Sequence, residues 1–135
     1  MVNQPLKNQL EKLENRTQIA RMVSLFYATI RSHEILASLF SKITDWELHQ
    51  ERMTAFWSFV LLDQEGYSGS PIEKHFNLGI EPQHFQLWLG VFNTVLDENF
   101  EGEMVEKAKK RAEGIASMLN YKLSKNDGKL IGKAN

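Results

Sequence analysis

The chain has 135 residues, with 16 Lys and Arg against 17 Asp and Glu and a net charge of −1. There is no basic surplus to attract nucleic acid or an anionic membrane surface. A hydrophobic content of 42% is enough for the core of one domain, and the absence of cysteine excludes disulfides, thiolate metal sites and cysteine nucleophiles.

A metal would have to be held by His33, His49, His75, His84 or carboxylates. The opening Met1-Val2-Asn3-Gln4-Pro5 has neither the basic nor the apolar stretch of a signal peptide. The longest uninterrupted apolar run, 59–62, falls far short of a membrane span. A soluble cytoplasmic protein is expected.

The apolar spacing is helical throughout, with no alternating β-branched stretch to compete. Residues 1–15 are polar, with Leu6, Leu10 and Leu13 spaced for a short helix or a loosely docked arm. A helix is predicted over about 17–32, with the stripe Ile19, Met22, Val23, Phe26, Tyr27 and Ile30. A short segment, 35–40, follows. Thr44-Asp45-Trp46-Glu47 reads as a capping box with Thr44 at the N-cap, opening a helix that carries Trp46, His49, Met53, Phe56, Trp57 and Val60 on one face.

Residues 64–69 read as a loop. Ser70-Pro71-Ile72-Glu73 is a helix start with proline at the first helical position, and Asn77 and Gly79 stop that helix after a few residues. Glu81-Pro82 begins a longer helix to about Glu98, striped by Phe85, Trp88, Leu89, Phe92, Val95 and Leu96. The last helix is predicted over about 103–123. Its Glu103–Lys107 and Glu106–Lys110 pairs at i,i+4 make the basic run 107–111 a solvated face. Residues 124–135 read as a flexible C-terminal tail, which leaves 16–123 as the folded domain. No internal repeat is visible.

Three polar groups fall on otherwise apolar helical faces. His75 shares a face with Ile72 and Phe76, and Tyr27 and His49 lie on two aromatic-rich stripes. An imidazole on one side of a cavity and hydrogen-bond donors on the other suit a haem pocket. Each residue also has an ordinary structural reading: His75 as a core or surface histidine, Tyr27 with its hydroxyl in water, His49 at the edge of its stripe. His84, one turn before Trp88, is a rival ligand, and periodicity does not choose between it and His75.

An ordered series of short segments carries more information than any one of them. It runs Phe26-Tyr27-x-x-Ile30-Arg31, Leu39-Phe40, Trp46-x-x-His49, Phe56-Trp57, Tyr67-x-Gly69-x-Pro71 and His75-x-x-Leu78. It continues with His84-Phe85-x-x-Trp88-Leu89-x-x-Phe92 and Arg111-Ala112-x-x-Ile115-Ala116. In this series, over roughly residues 18–121, the chain resembles the truncated haemoglobins of group III. The lack of Gly-Gly pairs agrees with that group; Ser38, where the family often has proline, departs from it and puts the local turn in doubt.

The resemblance implies an all-α, globin-like 2-on-2 sandwich around haem b. It makes His75 the proximal iron ligand, since neutral imidazole ligates haem iron and leaves the opposite position open. It places His84 near the surface and off the iron. On the distal side it places Tyr27, His49 and Trp88, whose O–H and N–H groups would stabilise a partly negative ligand in a dry pocket. It packs Phe40, Met53, Phe56, Trp57, Ile72, Phe76, Ile80 and Phe92 around the porphyrin, and offers Arg52, Tyr67 and Lys74 to the haem propionates.

The expected ligands are O2, NO and CO. NO dioxygenase or peroxidase-like turnover would need an external reductase, because the chain has no room for a reductase domain. A gas sensor or store without turnover, and a haem-free helical interaction module, are the alternatives. A monomer or weak homodimer is expected.

Overall fold

The computed structural model describes residues 10–67 and 79–134, with side chains through Lys125. Its elements in chain order are β1 (Glu11–Lys12), α1 (Arg16–Arg31), a 3-10 turn (Ala37–Phe40), α2 (Trp46–Leu62), α3 (Pro82–Asn99), β2 (Phe100–Glu101) and α4 (Glu103–Ala134). The short helix predicted after Ser70-Pro71 lies outside the described residues.

The fold is all-α. Helix α1 packs chiefly on α2 and α3 on α4, and α1 crosses α3 to join the two pairs. This is the two-on-two arrangement that the resemblance implied.

Helix α1 starts at a reciprocal cap. The Asn15 side chain accepts from Thr17 N–H at 2.9 Å, and Gln18 Oε1 accepts from Asn15 N–H at 3.0 Å. Two of the first-turn donors that a helix leaves unpaired are thereby satisfied. The helix buries the predicted stripe of Ile19, Met22, Val23, Phe26, Tyr27 and Ile30.

Helix α2 is capped one residue later than predicted. Asp45, not Thr44, is its N-cap, and Leu48 N–H donates to Asp45 Oδ1 at 3.0 Å. A carboxylate is as good an acceptor as a hydroxyl, and its charge adds to the favourable field of the helix N-terminus. Helix α2 also shows two inward faces instead of one stripe. Thr54, Trp57, Ser58 and Leu61 are buried in the core, whereas Trp46, His49, Met53 and Phe56 are half-buried. The left-handed Asp63 (φ 58°) ends the helix, and Lys107 Nζ donates to Leu61 O at 3.0 Å.

The chain before α1 is extended at Glu11–Lys12, where helical spacing had suggested a short helix or an arm. Strand β1 pairs in parallel with β2, Glu11 opposite Phe100 and Lys12 opposite Glu101. Leu13 N–H donates to Glu101 O at 3.0 Å. The ladder is only two residues long, so its anchor is the Leu13 side chain, 2% exposed, whose burial contributes about 1.5–3 kcal/mol. The Arg21–Glu11 ion pair fastens the same segment to α1.

Helix α4 continues to Ala134, past the end predicted at residue 123. Leu123 is the last buried side chain among those described along it.

Gly102 turns the chain from β2 into α4 at φ 108°, with Lys12 Cγ 3.5 Å from where a Cβ would stand. An L side chain is strained at that φ whatever the space around it. Gly102→Ala is expected to cost about 1–3 kcal/mol, read as a lowered midpoint in thermal denaturation.

Candidate functional site

The buried side chains form two clusters. The larger is built from α1, Leu13, Leu36, Trp57, Leu61, Phe92, Leu96 and the start of α4, and the smaller from Phe85, Ala116, Leu119 and Leu123. Residues of both clusters line a cavity of about 370 Å³ that all four helices border. That volume falls within the roughly 300–1,000 Å³ of small-molecule and cofactor sites. Around it the rings of α1 meet those of α2 and α3 edge-on, while Trp57 of α2 and Phe92 of α3 are stacked.

Tyr27, on α1, sits in the wall at 7% exposure. Its ring stands edge-on to His49 of α2 with centroids 4.8 Å apart and edge-on to Phe40 of the 3-10 turn at 5.8 Å. Burial pushes the Tyr27 phenol well above its ordinary value, so the hydroxyl keeps its proton and remains a hydrogen-bond donor. Trp88, from α3, lines the same cavity. Behind it Phe92 is stacked on Trp88 at 5.5 Å and on Trp57 at 5.0 Å, and Phe26 meets Trp88 edge-on at 5.5 Å.

The mouth is more polar. Arg52 and Lys42 are exposed there, and Tyr67 packs edge-on against Phe56 at 5.1 Å. Burial raises the Tyr67 phenol while the charge of Arg52 opposes the shift, and both residues line the cavity. A larger, shallower groove outside shares only these two residues with the cavity.

Of the residues singled out from sequence, Tyr27, Phe40, His49, Arg52, Met53, Phe56, Trp57, Tyr67, Ile80 and Trp88 all line this cavity. Phe92 does not; it forms the layer behind the wall. Ile72, Lys74, His75 and Phe76 lie outside the described residues. His84 is half-buried and borders the cavity, deeper than the surface position expected for it. Its Nδ1 accepts from Glu81 N–H at 2.8 Å to cap α3, which leaves Nε2 of the neutral ring as the N–H donor.

Sequence reasoning did not place Lys42, Ile43, Leu36 or the α4 residues Ile115, Ala116 and Leu119 at the site. The α4 residues had a signal in their i, i+1, i+4 spacing. Lys42, in a short polar connection, had none.

The sequence profile of the bacterial-like globin family matches residues 8–121. The chain belongs to that family. The globin is 31% identical over 120 residues to a group 3 truncated hemoglobin of Campylobacter jejuni, an alignment covering 84% of this chain and 94% of that protein. Its fold superposes on the crystal structure of the group III truncated hemoglobin from Campylobacter jejuni with a TM-score of 0.78 at 28% identity, again covering 84% and 94% of the two chains. This globin is a haem-binding protein of the truncated type.

The residues present fit that cofactor. The slot is walled by rings and aliphatic side chains that suit a flat apolar macrocycle, and its cations stand exposed at the mouth, where carboxylates on the macrocycle edge would meet them. No three metal-binding side chains converge among the described residues. Haem iron, held by four pyrrole nitrogens, asks for a single protein ligand. Among the described residues, no helix is long and apolar enough to cross a membrane.

Proposed function

We propose that this globin binds a diatomic gas, O2 first and NO next, with CO as the laboratory probe, at the iron of haem b ligated by His75. The observation that carries this reading is the Tyr27 phenol, buried in the cavity wall against the His49 ring. A phenol that keeps its proton inside an apolar cavity is a strong donor to a small ligand with partial negative charge.

Haem, when bound, supplies an iron with one open coordination position. Tyr27 donates an O–H toward that position. Trp88 offers an indole N–H, which can only donate, and His49 takes a place beside Tyr27 where it contacts or screens the ligand. Met53, Phe56, Trp57 and Ile80 exclude water from the slot, which strengthens each of these hydrogen bonds. Arg52, Tyr67 and Lys74 meet the propionates, and Lys42 joins them from the other side of the mouth.

The assignment of His75 over His84 rests on the His75-x-x-Leu78 resemblance. It is supported by the commitment of His84 Nδ1 to the cap of α3, which leaves the neutral ring's proton on Nε2.

The test is an absorption spectrum of the purified protein, reduced under argon and then exposed to CO. A strong Soret band that shifts with CO is expected. No Soret band after haem addition would discard the gas-binding reading and leave a haem-free helical module. Consumption of NO or peroxide requires an external reductant, so loss of NO only when a reductase is supplied distinguishes a detoxifying enzyme from a gas store or sensor.

A further inference from the structure

We infer that Trp46 and Arg31 form a latched shutter over the Tyr27–His49 end of the cavity, and that small ligands reach that end between the C-terminus of α1 and the N-terminus of α2. The inference rests on the gas-binding reading above and adds a route and a gate to it.

Three rings close that end of the slot: Tyr27, Phe40 and His49. Trp46 lies against all three, at centroid distances of 5.8, 6.3 and 5.6 Å, without itself lining the cavity. It is a single outer layer behind them. On its far side the Arg31 guanidinium lies over the indole, 4.5 Å from the ring centroid, and Arg31 is exposed to solvent.

The position of this pair in the chain makes it a movable part. Trp46 is the first residue of α2 and Arg31 the last of α1. Helix ends fray more readily than helix interiors, and residues 41–45 leading into α2 form no helix. By contrast Trp57, Phe92 and Trp88 form a continuous stack from helix interiors, with ring planes 20° and 4° from parallel. The aromatic wall is therefore fixed on that side, while Trp46 sits at a helix end, packed on three rings and covered by one exposed cation–π contact.

An exposed contact of this kind corresponds to a factor of about 2 to 5 in an equilibrium. Removing it raises the open population by that factor. Arg31 touches the bound gas in neither state, so ingress and escape accelerate together and affinity stays the same.

The experiment uses the haem-loaded full chain. CO association is followed by flash photolysis and CO dissociation by displacement, in the wild type, Arg31→Ala, Arg31→Lys and Trp46→Phe. Arg31→Ala is expected to raise both rates about 2- to 5-fold at constant Kd, with Arg31→Lys in between because it keeps the charge and loses the planar stack. Trp46→Phe, a smaller plug, also raises both rates.

A second readout is independent of ligand. In protein labelled with 5-fluorotryptophan, the Trp46 resonance, identified by its loss in Trp46→Phe, shifts in Arg31→Ala while those of Trp57 and Trp88 stay in place. A change in dissociation alone would make Trp46 a support for the Tyr27 hydroxyl, and unchanged rates would make it packing; either result overturns the shutter. A wild type without a Soret band overturns the gas-binding reading itself, and this is seen before any rate is measured.

Discussion

Tyr27→Phe is expected to release O2 roughly 10- to 100-fold faster than the wild type while leaving its association rate within a few-fold. The substitution removes one oxygen atom and keeps the ring, so the edge-on contacts with Phe26, Phe40 and His49 remain. What is lost is a hydrogen bond to a partly charged acceptor, about 1.5–3 kcal/mol in a site sheltered from water. Stopped-flow displacement of O2 by CO measures the rate directly. An unchanged rate would remove Tyr27 from ligand stabilisation and leave Trp88 or His49 to donate.

The same experiment has a pH dimension. Burial holds the Tyr27 phenol above its ordinary value, so its proton stays in place below the ordinary phenol range of about 10. The Tyr27-dependent part of O2 retention should therefore be flat from about pH 6 to about pH 9. The sign for stability follows from the same shift. A phenol raised in the folded state is no burden while it is neutral, and the folded state begins to lose stability relative to the unfolded one as pH climbs through the unfolded value near 10.

His75→Ala is expected to have the largest effect of any single substitution. On the proposed ligation, the substitution removes the iron's protein ligand. The Soret band of the reduced protein should shift and weaken as haem is lost to an excess of apomyoglobin, and added imidazole should restore part of the original spectrum. His84→Ala is the paired control. It should leave the spectrum alone and instead remove the acceptor for Glu81 N–H at the start of α3, costing about 0.5–2 kcal/mol of stability. If His84→Ala loses the haem spectrum and His75→Ala keeps it, the two histidines exchange roles and α3, not the segment before it, supplies the iron ligand.

Much of the fold was legible because its signals are local. The Glu81-Pro82 start follows from a proline that can dispense with a first-turn N–H. The stripes of α1 and α3 follow from the 3.6-residue period. The α2 cap shifted by one because Thr44 and Asp45 are adjacent candidates and Asp is the stronger N-cap of the two. The extended Glu11–Lys12 pair was hidden for a different reason: its partner is about ninety residues away at Phe100–Glu101, and a two-residue strand has no periodicity to read.

The site divides along the same line. Residue type and helical phase were enough to single out Tyr27 and His49, since a polar group on an apolar stripe is visible in the sequence itself, whereas Trp88 and the rings of α2 were placed at the site by the family resemblance. The sequence alone also determined the all-helical class, the absence of cysteine chemistry and the family resemblance. Only the tertiary structure decided that Phe92 stands behind the wall and not in it, that His84 caps its own helix, that Lys42 reaches the mouth, and that Arg31 covers Trp46. The physical reason is that periodicity fixes which face of a helix is buried, whereas the distance and crossing of neighbouring helices decide whether a buried side chain meets another side chain or a cavity.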